Sequence, residues 1–167
     1  MEAATTPTLG RVFKTLQSFY WGSPRTTFVV NPITVFLIDS LIERRVKVPD
    51  LRFLPLLLWG NLQYRLVGSY RAALGGGPGG VSRGLPEVLV TDGLYGLTRN
   101  PMYLGHLIFS LGLFLAFRSP SSALLALGRL VYFVRRVDLD EDRLESAFGD
   151  PYRVYKRRVR RWIPGVL

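Results

Sequence analysis

The chain is 167 residues long, 48% hydrophobic and 13% aromatic, with 22 Lys and Arg against 12 Asp and Glu for a formal charge of +10. That length fits one domain. With no cysteine and a single histidine, it excludes disulfides, thiolate chemistry and any metal cage built on Cys or several His.

Residues 1–20 lack an apolar core and a small-residue cleavage site, so no cleavable signal peptide is expected. Within 8–20, Leu9, Val12, Phe13, Leu16, Phe19 and Tyr20 share one helical face. Residues 1–25 therefore read as an amphipathic segment lying on a membrane surface or packed on a bundle. Apolar runs follow at 26–42, 53–74, 101–117 and 120–134. A membrane span needs about 20 such residues, and roughly 17 are tolerated. The first run carries Asp39 and a helix-bending Pro32, the second Arg65 and Arg71, the third no acid or base, and the fourth Arg129. Any one of them could be a soluble core helix. Four in so short a chain, with little amphipathic alternation, predict an all-α polytopic membrane bundle of about four spans, a single domain over 1–167.

Runs 101–117 and 120–134 are separated only by Arg118 and Ser119, which predicts a tight helical hairpin. Its two open ends, Arg99-Asn100-Pro101 and Asp140-Glu141, must then lie on one side of the membrane. Nine basic residues in 135–161 make that side cytoplasmic. Against this, Arg44, Arg45, Lys47 and Arg52 fall on the outer side if 26–42 and 53–74 also span. Either the first run is re-entrant or the hairpin's charge outweighs it.

Gly75 to Gly80, interrupted by Pro78, reads as a flexible connector. A dinucleotide loop needs a preceding strand and a following helix; here a helical run precedes. Residues 85–92 read as a short extended segment, and Pro101 suits the first turn of the helix it opens. Beyond the acidic cluster 138–142, Leu144, Ala147 and Phe148 continue an amphipathic helix stopped by Gly149-Asp150-Pro151. A second helix over 151–161 would show Tyr152, Tyr155 and Val159 on one face and arginines on the other, ending at Trp162-Ile163-Pro164. In a soluble protein the basic stripe would suggest a phosphate-binding surface. After a hydrophobic span it reads as a cytoplasmic tail on anionic lipid headgroups, with Trp162 at headgroup depth and no nucleic acid as partner.

Polar groups crowded against a proline that opens a membrane-type helix mark a functional site by default. The pattern Gly93-x-Tyr95-x-x-x-Arg99-Asn100-Pro101-x-Tyr103-x-Gly105 resembles the isoprenylcysteine carboxyl methyltransferases and their phospholipid N-methyltransferase relatives. So do Asp140-Glu141-x-x-Leu144, Phe148-Gly149-x-x-Tyr152-x-x-Tyr155 and Val159-Arg160-Arg161-Trp162-Ile163-Pro164. Gly60, Leu62 and Ala73-Leu74-Gly75 are similar to the helix that precedes the motif there. The resemblance covers roughly 55–164. It implies a helical membrane enzyme binding S-adenosylmethionine in a cytosolic pocket without a Rossmann fold, its lipophilic substrate arriving from the bilayer. Tyr95, Arg99, Asn100, Pro101, Tyr103 and Gly105 would line the cofactor pocket, with Glu141 and Asp140 completing it. Many relatives carry His where Asn100 stands and two glutamates at Asp140-Glu141. Asn100 therefore cannot titrate, and Asp140 is one methylene shorter.

Residue chemistry gives each position a functional and a structural reading. Arg99 offers a fork suited to the cofactor's carboxylate, or it is an arginine snorkelling at a helix end. Glu141 suits the cofactor's amine or ribose, or it serves a helix dipole. Together they are the catalytic candidates, Glu141 being the available base if the acceptor must lose a proton. Tyr95 and Tyr103 could stack on adenine or face a sulfonium, or simply mark a membrane interface. His106 lies one turn into the helix beside the cofactor residues. Arg129, Tyr152 and Tyr155 are candidates for the substrate path, and no metal is expected. Methyl transfer from a sulfonium is an in-line displacement in which alignment supplies much of the catalysis. Rival readings are an NADPH-dependent membrane reductase similar to the sterol reductases and a non-catalytic lipid-binding scaffold.

Overall fold

The computed structural model describes residues 24–76 and 84–162. The amphipathic helix expected at 8–20, Gly77 to Gly80 of the connector, and Ile163-Pro164 lie outside these residues. The described residues form five α-helices and no strand. They are α1 (Asn31–Glu43), α2 (Leu54–Ala73), α3 (Pro101–Phe117), α4 (Pro120–Phe148) and α5 (Asp150–Arg158).

A π-helical turn, Thr26–Val30, leads into α1. Pro32 has no N–H to give, and the Asn31 N–H reaches back to the Thr26 carbonyl. The expected bend at Pro32 thus takes the form of a widened turn, which rotates Thr27 and Asn31 inward. Thr26–Glu43 is the one described stretch that meets both the length and the composition of a membrane span. α3 is apolar throughout but has 17 residues, and α2 carries Arg65 and Arg71.

α3 closes on Arg118, whose φ of 48° places it in the left-handed region. Ser119 then caps α4: it accepts from the Ser122 N–H, and Ser122 Oγ accepts from the Ser119 N–H, with Pro120 at the first helical position. Two residues therefore reverse the chain, and the predicted hairpin forms. α4 runs on unbroken to Phe148, through Gly128, because no proline interrupts it after its first position.

α2 packs antiparallel on α3 through glycines. A Cβ on Gly60 would fall 2.7 Å from the Gly105 carbonyl oxygen, and one on Gly105 would fall 2.8 Å from that of Gly60. At Gly112 it would come within 2.9 Å of Leu56 Cβ. Small residues at these crossings let the backbones touch. α1 runs parallel to α3, with Val35 against Leu113, Ala116 and Phe117. The result is four helices with a turn end, at Arg118, and an open end, at Arg99.

Beside its apolar core the bundle buries paired polar groups, and it leaves many large apolar side chains outside. Arg129 is fully buried, and the Asn31 amide oxygen, turned toward it, accepts from its Nη2 and Nε at 3.0 and 3.2 Å. Asp39 accepts from Ser121 Oγ at 2.5 Å. Meanwhile Leu41 is 76% exposed, Leu124 73% and Leu58 62%. Apolar side chains outside and polar ones paired inside are compatible with lipid as the surroundings.

Candidate functional site

The hairpin brings together residues 42 apart in sequence. Arg99 precedes the start of α3, and Glu141 lies near the end of α4. Arg99 Nε and Nη2 donate to Glu141 Oε1 at 3.0 and 2.9 Å. Its remaining nitrogen, Nη1, donates to the Val159 and Lys156 carbonyls at 2.6 and 3.1 Å. A second guanidinium holds Glu141 from the other side. Arg161 Nη2 donates to Oε2 at 2.9 Å and Nε to Oε1 at 3.2 Å, while Nη1 reaches Asp138 at 2.8 Å. The Glu141 carboxylate is 3% exposed and engaged on both oxygens.

α5 ends at Arg158, three residues short of the expected boundary, and the reason is this cluster. Val159 turns extended, at φ −113° and ψ 134°. The chain then lies across the open end as a strap. The Arg160 carbonyl accepts from the Arg99 N–H at 2.9 Å. The Arg161 carbonyl accepts from Thr98 Oγ1 at 2.9 Å and Asn100 Nδ2 at 3.2 Å. Tyr152 and Tyr155 are buried on the inner face of α5, as the spacing predicts, and Val159 is buried just beyond the helix end rather than on that face. Tyr155 OH donates to the Tyr95 carbonyl at 2.7 Å and so fixes the turn Gly93–Gly96.

Asp140 forms a neighbouring cluster. Tyr103 OH donates to its Oδ2 at 2.5 Å. Arg136 Nη2 lies 2.8 Å from Oδ1, close enough for an ion pair but misaligned for a hydrogen bond, so that buried oxygen is left without one.

Between α2, the 86–102 segment, α4 and α5 opens a cleft of about 620 Å³, measured out to its mouth. Apolar and aromatic walls with a few convergent polar groups are the make-up of a small-molecule site. Tyr95, Tyr103, Tyr152 and Tyr155 wall it together with Leu89, Val90, Met102 and Leu144; its polar groups are Arg71, Arg99, Asn100, Asp140 and Glu141. Burial raises the Tyr95 phenol to about 12, with the charge of Arg71 opposing. The same cause raises Tyr152 and Tyr155. These phenols are neutral hydrogen-bonding walls at physiological pH. A groove of about 750 Å³ at the turn end has Asp50 as its one charged lining residue and lacks convergent polar groups. No described acidic or histidine cluster is arranged to hold a metal.

Of the residues singled out from sequence, Tyr95, Arg99, Asn100, Pro101, Tyr103, Asp140, Glu141, Tyr152 and Tyr155 all line the cleft. Gly105, His106 and Arg129 lie behind it. Gly105 meets Gly60 across the α2–α3 contact. His106 Nδ1 is 2.8 Å from Thr27 Oγ1, and its ring is stacked between Phe28 and Phe133. Arg129 faces Asn31 in the bundle core. Arg71, Arg136 and Arg161 were not assigned to the site by sequence reasoning. Arg71 carried a signal, a base near the end of an apolar run beside glycines; Arg161 sat inside a quoted motif without a role.

Residues 81–151, which carry the loop before α3, the hairpin and most of the cleft's lining, match the family model described as phospholipid methyltransferase. More particularly, the chain is similar to the protein-S-isoprenylcysteine O-methyltransferase of Schizosaccharomyces pombe, at 37% identity over 83 residues covering 49% of this chain and 35% of that protein. It is 34% identical to the Dictyostelium discoideum protein of the same name over 81 residues, covering 48% and 34%. Against protein-S-isoprenylcysteine O-methyltransferase B of Arabidopsis thaliana it is 38% identical over 80 residues, covering 47% and 40%. The match thus spans between a third and two-fifths of these relatives' length. Together these findings support an isoprenylcysteine and phospholipid methyltransferase-like family.

Proposed function

We propose that this chain transfers a methyl group from S-adenosylmethionine to a lipophilic acceptor, as a multi-pass membrane enzyme whose cleft faces the cytoplasm. One observation carries the reading. Seven positions inside the matched region, Tyr95, Arg99, Asn100, Pro101, Tyr103, Asp140 and Glu141, converge from two chain segments on a single cleft.

The donor set fits such a cofactor. Buried carboxylates and tyrosine faces suit a cation, and Asp140 Oδ1 is a buried acceptor with a hydrogen-bonding place still open. Bound there, the cofactor brings a methyl group on a sulfonium, which needs no further activation. The tyrosines and the two carboxylates balance positive charge at the cleft wall. Leu89, Val90, Met102 and Leu144 exclude water, which strengthens those electrostatics. Arg99, held on three sides, keeps Glu141 and the strap in register, so alignment of the reacting atoms is set by a rigid frame.

The cleft offers no idle base. Glu141 is engaged by two guanidinium groups and Asp140 by Tyr103 and Arg136, while His106 lies behind Phe133. An acceptor that arrives as an anion, such as a carboxylate, needs none. The relatives' names describe O-methylation of an isoprenylcysteine, and a lipophilic carboxylate accords with this cleft. Exposed apolar faces of α1, α2 and α4 give such a molecule a route through lipid.

Calorimetric titration of detergent-purified protein with S-adenosylmethionine, its demethylated product and NADPH tests the reading. Binding of the first two supports it; binding of NADPH alone would make the chain a reductase, and binding of none a scaffold. Labelled cofactor incubated with membranes holding the protein then identifies the acceptor.

A further inference from the structure

Four phenols wall the cleft, and the fold itself uses two of their hydroxyls. Tyr103 OH donates to Asp140, and Tyr155 OH donates to the Tyr95 carbonyl. Of the remaining two, Tyr95 is half-buried. Tyr152 stands in the first turn of α5, 1% exposed, and its hydroxyl makes no hydrogen bond to any described residue. Leu89, Leu144 and Phe148 pack around it. A phenol so enclosed loses hydration without gaining a hydrogen bond, and buried polar groups in folded proteins are normally satisfied. Its acceptor is therefore one that arrives with a ligand.

The surroundings select the kind of acceptor. Arg99, Arg161 and Lys156 all converge on the Glu141 carboxylate, Lys156 Nζ at 3.9 Å. Asp138 and Glu145, which share Arg161 and Lys156, are more exposed than Glu141. The charges of Arg99 and Arg161 oppose that of Glu141 at the Tyr152 phenol, and Lys156 Nζ lies 5.9 Å from its ring centre. On the inner side, cations thus outnumber carboxylates. Burial keeps the phenol protonated, so it is a donor. A negatively charged oxygen suits both the donor and the field, and a hydrogen bond to a charged group is stronger than one between neutral groups.

We propose that the Tyr152 hydroxyl donates to the carboxylate of a bound ligand, either the cofactor's or the acceptor's. This rests on the methyltransferase reading of the cleft. Of the three substrate-path candidates read from sequence, Arg129 lies in the bundle core and the Tyr155 hydroxyl is spent on Tyr95, which leaves Tyr152. A neutral donor orients a carboxylate without cancelling its charge, so an acceptor oxygen held this way stays nucleophilic.

The test is calorimetric titration in detergent of the unaltered protein, Tyr152→Phe and Tyr155→Phe with two pairs of ligands. One pair is S-adenosylmethionine and its decarboxylated analogue; the other is an isoprenylcysteine with a free carboxylate and its carboxamide. In at least one pair the unaltered protein should prefer the carboxylate by about 10-fold or more. Tyr152→Phe should lose that preference and bind the member lacking the carboxylate as before; the pair affected identifies the source. Its thermal midpoint should not fall, since the hydroxyl bonds to nothing in the fold. Tyr155→Phe, which removes a bond of the fold, should lower the midpoint and weaken both members of each pair alike. Three results overturn the assignment: no preference in the unaltered protein, a preference that Tyr152→Phe retains in both pairs, or a Tyr152→Phe protein that behaves like Tyr155→Phe. If the unaltered protein binds neither S-adenosylmethionine nor its analogue, the cofactor is wrong, and the isoprenylcysteine pair alone decides the hydroxyl. Binding of none of the four overturns both readings.

Discussion

The two ends of the bundle use the same residue types to opposite effect. At the turn end, Glu43 pairs with Arg45 and Lys47, and Asp50 with Arg52 and Arg118, on a surface where Arg45, Arg52 and Arg118 are well exposed. At the open end, Glu141 and Asp140 pair with Arg99, Arg161 and Arg136, and both carboxylates are nearly inaccessible. Exposed pairs contribute little because water competes for each partner. Buried pairs fix geometry, since removing one partner strands the other. The difference lies in burial, and burial is supplied by the strap and α5.

Breaking the open end should give the largest effect. Glu141→Ala strands two guanidinium groups; it should destabilise the protein by about 3 kcal/mol and abolish methyl transfer. Thermal unfolding in detergent and incorporation of labelled methyl would measure the two losses. Asp50→Asn, the matched change at the turn end, should leave methyl transfer unaltered. If both variants lose activity equally, the ends do not differ as described.

A smaller loss should follow from Gly105→Ala, which forces a methyl against the Gly60 carbonyl across the α2–α3 contact. Overpacking of this kind costs about 1–3 kcal/mol. The thermal midpoint should fall, while the cleft residues, which Gly105 does not touch, keep their cofactor affinity in the protein that remains folded.

The smallest effect separates the ends by pH. Hydrogen bonding from Arg52 holds the Asp50 carboxyl down to about 2, from 3.8. Its folded value lies below its unfolded one, so its contribution is present above 3.8 and is lost as pH falls toward 2. Burial holds the Tyr95 phenol up to about 12, from 10.0. Here the folded value lies above the unfolded one, so the contribution is present below 10.0 and is lost as pH rises toward 12. Thermal midpoints recorded across pH should therefore decline at both extremes. Asp50→Asn should flatten the acid limb and Tyr95→Phe the alkaline one; a Tyr95→Phe protein with an unchanged alkaline limb would contradict the burial of that phenol.

Local features carried most of the fold in legible form. The α3 boundaries coincide with an apolar run framed by Pro101 and Arg118, and the hairpin follows from a loop too short for any other arrangement. Since the hairpin alone makes Arg99 and Glu141 neighbours, that part of the site was legible too. Partners contributed by distant backbone were not. Nothing in the spacing of 151–161 shows that Val159 leaves the helix to place its carbonyl on Arg99, because a carbonyl has no sequence signature. For the same reason His106, read as a cofactor neighbour from its place one turn into α3, lies behind the cleft: its rotation follows from Thr27 on the π-turn of α1, a segment with no local link to it. Four spans were expected, and one described stretch meets both criteria, since α2 and α4 trade apolar residues for the arginines that the interior uses.

The strap also sets an order of events during biosynthesis. The Arg99 guanidinium and N–H, Thr98 Oγ1 and the Asn100 side-chain amide find their carbonyl acceptors in residues 156–161, so on the proposed membrane reading the hairpin enters the bilayer while its open end is still unfinished. On the same reading, the proposed activity awaits emergence of that last stretch from the ribosome, and a nascent chain halted before it would be inserted yet inert.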